Sequence, residues 1–494
     1  MTEISAGLSS TSCWTCRRRR VKCDRRLPEC QKCSISGEPC QGYSAVKPLR
    51  WTNGVASRGK LMGKSLPTTG ANAPIAMLLV DPVLQDLCPT NQHYIKYFDQ
   101  YCSVESVLYG SNATNPFREF MRLIPSSPAL LHTIISIAAL HQAWRTTDGR
   151  SVDFQQLLGM GNGAVPMELD RANITSDQSS AIYDALKHKQ LALRYMQKEL
   201  LNSDLGNIDG TIASMLLLVW QDLMDSGQDS WKFHLDGLKG IVQARICSPK
   251  RQNSRTQGVE FSTLHEHFEM TYAAFQILGT TFIPAKQSYN PLFSSRPTAQ
   301  IMKVSENQTW AGCPAELLYI ISLLNNVSKS QPLASDLKTH IFSVLEDFSP
   351  MKWAIASTSP GLMKARYHLA SAYKGAVVIY MSQVVHELHG SHNYGSLAAP
   401  LDSIIVHLES ISHTDAHFKS LVWPTFVIGA EARHTSQRMV ISQVFERLWA
   451  IWRCQNVRNA LNVLQDLWVR TDEKGSSGLW IDDVYRWGMD WIFV

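Results

Sequence analysis

The chain has 494 residues, 45% of them hydrophobic and 14 of them tryptophan, which is enough to bury a large core beside a smaller module. A formal charge of +5 hides a separation: Cys13 to Lys64 holds 13 lysines and arginines against 3 acidic residues, a net of +10, and the remainder holds 34 against 39, a net of −5. A basic head on a mildly acidic body excludes a polyanion partner for most of the chain and points to one, nucleic acid first, for the head alone.

The opening MTEISAGLSS has neither a basic nor an apolar stretch, so no secretory signal is expected. Thiols are then expected to be reduced, which favours metal binding over disulfides. No run reaches the ~20 apolar residues of a membrane span, so a soluble protein with no membrane partner is expected. The sequons at Asn112, Asn173, Asn307 and Asn326 read as chance matches to a short pattern.

In chain order, residues 1–12 are rich in Ser and Thr and are expected to be a disordered tail, with Ser12 capping a helix that starts near Cys13. Residues 13–43 hold six cysteines. Residues 44–76 show no helical period but carry scattered Gly, Pro, Lys and Arg, the composition of a basic linker, and no heptad pattern follows the cysteines.

From residue 77 to 494 apolar residues recur at helical spacing and no alternating strand is apparent, so the body reads as one large all-α domain. Leu130, Ile134, Ile137 and His141 share a face, as do Tyr183, Leu186, Leu193, Met196 and Leu200, and Ile212, Met215, Leu216, Val219 and Leu223. Ile441, Val444, Leu448 and Ile451 repeat the pattern, with Leu461, Leu464 and Trp468 after them, and the terminal Trp491, Ile492, Phe493 and Val494 read as packed.

The cysteines, Cys13, Cys16, Cys23, Cys30, Cys33 and Cys40, spell one unit, C-x2-C-x6-C, written twice. A C-x2-C pair at the start of a helical turn aims two thiolates at one metal, and a third cysteine returns after a loop. Three sulfurs per half are one short of a tetrahedral zinc site, so two zinc ions need two sulfurs to bridge. Symmetry between the halves leaves three bridging pairs open: Cys13 with Cys30, Cys16 with Cys33, or Cys23 with Cys40.

The halves differ in charge. Arg17, Arg18, Arg19, Arg20 and Lys22 lie between Cys16 and Cys23, and no cation lies between Cys33 and Cys40. The first half is therefore expected to face double-stranded DNA, its short helix entering the major groove. A purely structural zinc site would account for the cysteines but not for this basic run. The run also resembles a nuclear-import sequence, which is compatible with DNA contact, and a nuclear location is expected.

The segment CWTCRRRRVKCDRRLPECQKC closely resembles the fungal zinc binuclear cluster (Zn2Cys6) family of transcription factors. The resemblance implies two zinc ions per chain, bridging by Cys13 and Cys30, and a loop between the halves shaped by Pro28. It also places Arg20, where many members have Lys, and Arg19 at the guanines of a CGG-type triplet, with Arg17, Arg18 and Lys22 on phosphates. Arginine reads guanine in bidentate fashion, so guanine preference survives the change. Looser likenesses, in HYIKYFDQYC, ALKHKQLALRYMQKEL and WKFHLDGLKGIV, imply the helical regulatory domain found behind such clusters.

No enzyme is expected. Gly159, Gly161 and Gly163 have no strand before them, and His386, Glu387 and His389 are one residue short of the metalloprotease spacing. Trp231, His234 and Asp236 read as core packing. The expectation is an all-α, zinc-dependent regulator of metabolic or biosynthetic genes transcribed by RNA polymerase II. A homodimer through the helical domain, and a small-molecule effector or co-regulator, are compatible with it. The alternative is a metabolite sensor or interaction scaffold with an accessory zinc module.

Overall fold

The computed structural model describes residues 7–46, 84–108, 115–145, 176–201, 208–228, 230–246, 263–284, 289–292, 298–327, 333–356, 362–385, 397, 399–474 and 479–494. The chain divides into two compact units, Met1–Leu79 and Val80–Val494. Among the described residues there is no strand, only isolated bridges at Leu8–Arg26 and Gln228–Trp491.

The first unit contains α1 (Trp14–Arg19) and α2 (Gln31–Ile35). Its buried core is Cys13, Cys16, Cys23, Cys30 and Cys33, with Cys40 and Tyr43 against them. Two expectations are corrected here. Residues 7–12 are not a free tail: Ser9 N–H donates to the Arg25 carbonyl at 2.8 Å, and Leu27 N–H to that of Gly7 at 3.1 Å. Nor does Ser12 cap α1. That position is filled by Cys13, whose sulfur accepts from Cys16 N–H at 3.3 Å, one residue later than hydroxyl preference suggested.

The second unit is built from α3 (Pro89–Tyr97), α4 (Pro128–Arg145), α5 (Ser176–Leu201), α6 (Ile208–Asp225), α7 (Ser230–Ile246), α8 (Thr263–Thr280), α9 (Thr298–Gln308), α10 (Ala315–Leu324), α11 (Ser335–Asp347), α12 (Met363–Val384), α13 (Leu401–Glu409), α14 (Val422–Ala430), α15 (Thr435–Trp452), α16 (Gln455–Lys474) and α17 (Trp480–Arg486). Shorter turns join them. The faces expected on α4, α6 and α15 are buried, apart from half-buried Ile451, but α6 is buried on every side. At Gly210 a Cβ would fall 2.4 Å from that of Ser127.

The face expected on α5 holds only in part: Met196 is buried and Leu186 half-buried, but Tyr183, Leu193 and Leu200 are 66%, 43% and 47% exposed, and the rest of the buried face is Ala181, Ala185, His188 and Ala192. The larger apolar residues misled because the helix was chosen for closeness rather than bulk: alanines let α5 lie flush on α4. Polar ties lock the contact. Glu199 accepts from Ser127 Oγ and Ala129 N–H at the start of α4, and from Thr211 of α6. Ser136 Oγ donates to the Ala185 carbonyl at 2.6 Å and accepts from Gln221 at 2.7 Å.

Trp231 is buried and its indole N–H donates to the Asp490 carbonyl, His234 lies 3.4 Å from Asp222, and Asp236 is exposed. The terminal Trp491 to Val494 is buried. The glycine motif at 159–163 and the histidines at 386–392 lie outside the described residues.

Ala192→Leu is expected to destabilise the helical unit by about 1–3 kcal/mol through overpacking. Leu193→Ala, one residue along, is expected to stay within about 0.5 kcal/mol of the parent. Urea unfolding followed by circular dichroism checks both.

Candidate metal centre and nucleic-acid interface

The two short helices present their sulfurs in the same way. Cys30 caps α2 as Cys13 caps α1, its sulfur accepting from Cys33 N–H at 3.3 Å. The sulfurs of Cys13, Cys16, Cys23 and Cys30 lie within 4.8 Å of one another, as do those of Cys13, Cys30, Cys33 and Cys40. Cys13 and Cys30 are common to both groups. Sulfur separations are 3.6 Å for Cys13–Cys30 and Cys16–Cys30, 3.8 Å for Cys13–Cys33 and 3.9 Å for Cys16–Cys33. A zinc–sulfur bond of about 2.3 Å gives a tetrahedron with edges of about 3.8 Å, so the spacing suits that ion.

The thiols are unpaired by disulfides. Burial pushes the Cys13 thiol up to about 12 and raises that of Cys30 as well. Buried thiolates in these positions need a cation to stabilise them.

Asp24, adjacent to the third cysteine, joins the halves. Its carboxylate accepts from Gln31 N–H at 2.9 Å and Lys32 N–H at 3.1 Å, capping α2, and these bonds hold its pKa below the usual range. Thr15 does the same from α1: its hydroxyl donates to the Pro39 carbonyl at 2.9 Å and accepts from Gln41 N–H at 3.0 Å. Trp14, half-buried, donates to the Ser44 carbonyl at 2.8 Å, and the Leu27–Pro28 peptide is cis. Sequence reasoning gave Asp24 and Thr15 no role, because a cap that acts across two helices leaves no local signature.

Arg17, Arg18, Arg19, Arg20 and Lys22 are all exposed. Arg17 lies 4.9 Å from the Trp14 ring, and Arg19 donates to Ser36 Oγ at 2.7 Å. Arg20 ends α1 in the left-handed conformation, at φ 55°. Adding the offset between the halves carries Arg20 onto Gly37, at φ 66°, and Arg25, at φ 61°, onto Gly42, at φ 72°. The backbone thus repeats. Where the second half uses glycine, the first half holds arginine at a conformational cost of about 1–2 kcal/mol each.

A family model for the fungal specific transcription factor domain matches residues 93–494, and one for the fungal Zn(2)-Cys(6) binuclear cluster domain matches residues 11–49. The chain is 23% identical to the acriflavine sensitivity control protein acr-2 of Neurospora crassa, over 96% of this chain and 94% of that one. It is 23% identical to the phomenoic acid biosynthesis cluster-specific transcriptional regulator of Leptosphaeria maculans, over 92% and 85%. Over 42 residues, 8% of this chain and 4% of the relative, it is 60% identical to the arginine metabolism regulation protein II of Saccharomyces cerevisiae. No solved structure matches.

Asp24→Ala removes both acceptors at the start of α2. It is expected to speed the loss of zinc to a chromogenic chelator, with Asp24→Asn, which keeps one acceptor, between it and the parent.

Proposed function

Because the chain belongs to the fungal specific transcription factor family and carries that family's Zn(2)-Cys(6) cluster domain, we propose that it is a zinc-dependent regulator that reads CGG-type triplets in double-stranded DNA and acts in the nucleus on metabolic or biosynthetic genes. The names of its relatives, a biosynthesis cluster-specific regulator and an arginine metabolism regulator among them, support the class of gene. It is a transcription factor and not an enzyme.

In this reading residues 13–43 form the DNA-binding module, 44–76 a basic linker and 77–494 the regulatory body, through which the chain dimerises and answers an effector or co-regulator. Two zinc ions are held by Cys13, Cys16, Cys23, Cys30, Cys33 and Cys40, with Cys13 and Cys30 shared. Zinc bound there supplies cross-links between helices too short to be stable alone. Arg20 and Arg19 address guanine O6 and N7 at the end of α1, and Arg17, Arg18 and Lys22 neutralise phosphates.

The observation that carries this reading is the left-handed Arg20. A position whose repeat partner is Gly37 gains nothing structurally from arginine, so its cation is there for what it meets outside the protein.

Metal analysis of the full chain is expected to return two zinc ions, and the logarithm of the affinity for a duplex with CGG triplets is expected to fall linearly with the logarithm of salt concentration. One ion or none, or binding indifferent to salt, would contradict the proposal. Arg20→Gly is expected to resist chelation at least as well as the parent, because the backbone cost of about 1–2 kcal/mol is relieved. The same change is expected to weaken binding to the triplet by about 1–3 kcal/mol while sparing non-specific duplex. Equal loss on both duplexes would assign Arg20 to the phosphates instead.

A further inference from the structure

The helical unit carries a cleft of ≈ 450 Å³ where four elements meet: the short helix Ser103–Glu105, the end of α4 at Arg145, the turn Ala416–Leu421 with the loop before it, and the end of α15 at Trp452 and Arg453. Small-molecule sites commonly measure about 300–1,000 Å³. The charged residues lining it are Arg145, Lys419, Arg453, Glu105 and Asp415.

Both acids are already engaged. Glu105 accepts from Arg145 at 2.6 Å and lies 3.0 Å from His141 Nε2, and Asp415 lies 2.7 Å from His417 Nδ1. Lys419 is placed differently. Its ammonium donates to the main-chain carbonyls of Glu105 and Val107, both at 2.6 Å, and sits 5.9 Å from the Trp452 ring. An ammonium has three N–H donors, and these two bonds use neutral partners. Among the described residues no carboxylate lies within ion-pair distance of it. Burial pulls its pKa down to about 8, against the attraction of Glu105.

Arg453 is the second observation. It follows α15 at φ 51°, a left-handed position that helix ends ordinarily give to glycine or asparagine, and its guanidinium lies 5.8 Å from the Trp449 ring. Arginine there is strained, and it lines the same cleft as the lysine that lacks an anion. Ile451 and Trp452 complete the wall with apolar surface.

We propose that this cleft binds a small organic acid, its carboxylate between Lys419 and Arg453 and its apolar body against Trp452 and Ile451. A carboxylate supplies the counter-charge that the cleft lacks, and a charge-assisted hydrogen bond to a half-buried ammonium is stronger than one between neutral groups. The inference is independent of the DNA reading, since it concerns the helical unit alone.

Calorimetric titration of the zinc-loaded full chain with benzoate and indole-3-acetate, and with their neutral amides, tests it. The acids are expected to bind with a Kd of about 1 mM or below, and the amides at least about tenfold more weakly. Lys419→Met is expected to weaken the acids by about tenfold or more. Arg453→Asn, which tolerates the left-handed backbone and so separates lost charge from lost folding, should act in the same direction. The exposed control Lys198→Met should change nothing. Acids and amides binding alike, affinity unchanged in both cleft variants, or no acid binding at about 10 mM would overturn the proposal.

Discussion

Two sulfurs, those of Cys13 and Cys30, belong to both groups of four in the first unit, and among the described residues that unit has no other centre to depend on. Its buried core is made of cysteines rather than aliphatic side chains, with only Tyr43 packed against them among larger residues. A module this small cannot bury enough apolar surface to hold two one-turn helices in place, and a zinc-binding sulfur cluster is a physical substitute for that core. The hydrogen bonds of Asp24 and Thr15 act on the same problem from outside, each tying one half to the other.

The two halves began from one pattern and were used differently. Cysteine caps and left-handed positions repeat, so the scaffold is nearly two-fold. The surface is not. Arginine replaces glycine at the left-handed residues of the first half, and the exposed run from Arg17 to Lys22 has no counterpart after Cys33. A strained backbone that glycine would relieve, kept with a cation, distinguishes the first half from the second. Arg453 in the helical unit shows the same economy: a helix end that glycine would fit holds a cation that lines a cleft.

The cysteine spacing made the cluster legible because metal geometry constrains sequence at fixed intervals. The helical body was legible through periodicity, and the buried faces of α4, α6 and α15 follow it. On α5 the method placed Met196 but missed most of the buried face, for a definite reason. Hydrophobic size marks a buried face only where the partner is far enough away to need filling, and Ala181, Ala185 and Ala192 face a partner that is close. Asp24 escaped notice because its work is done across space, on the N–H groups of Gln31 and Lys32. The left-handed arginines were visible in principle: laying the halves in register pairs Arg20 with Gly37 and Arg25 with Gly42, and a residue opposite a repeat glycine is a conformational signal. The acid-binding cleft left no such trace, since its residues come from segments more than three hundred positions apart in the chain.

X-ray absorption at the zinc edge of the full chain tests the shared-sulfur centre most directly. The expected spectrum has a first shell of four sulfurs at about 2.3 Å for every zinc and a metal–metal scattering vector that only bridging thiolates produce. A shell that mixes nitrogen or oxygen with sulfur, or a spectrum with no metal–metal vector, would contradict a centre in which Cys13 and Cys30 each hold two ions.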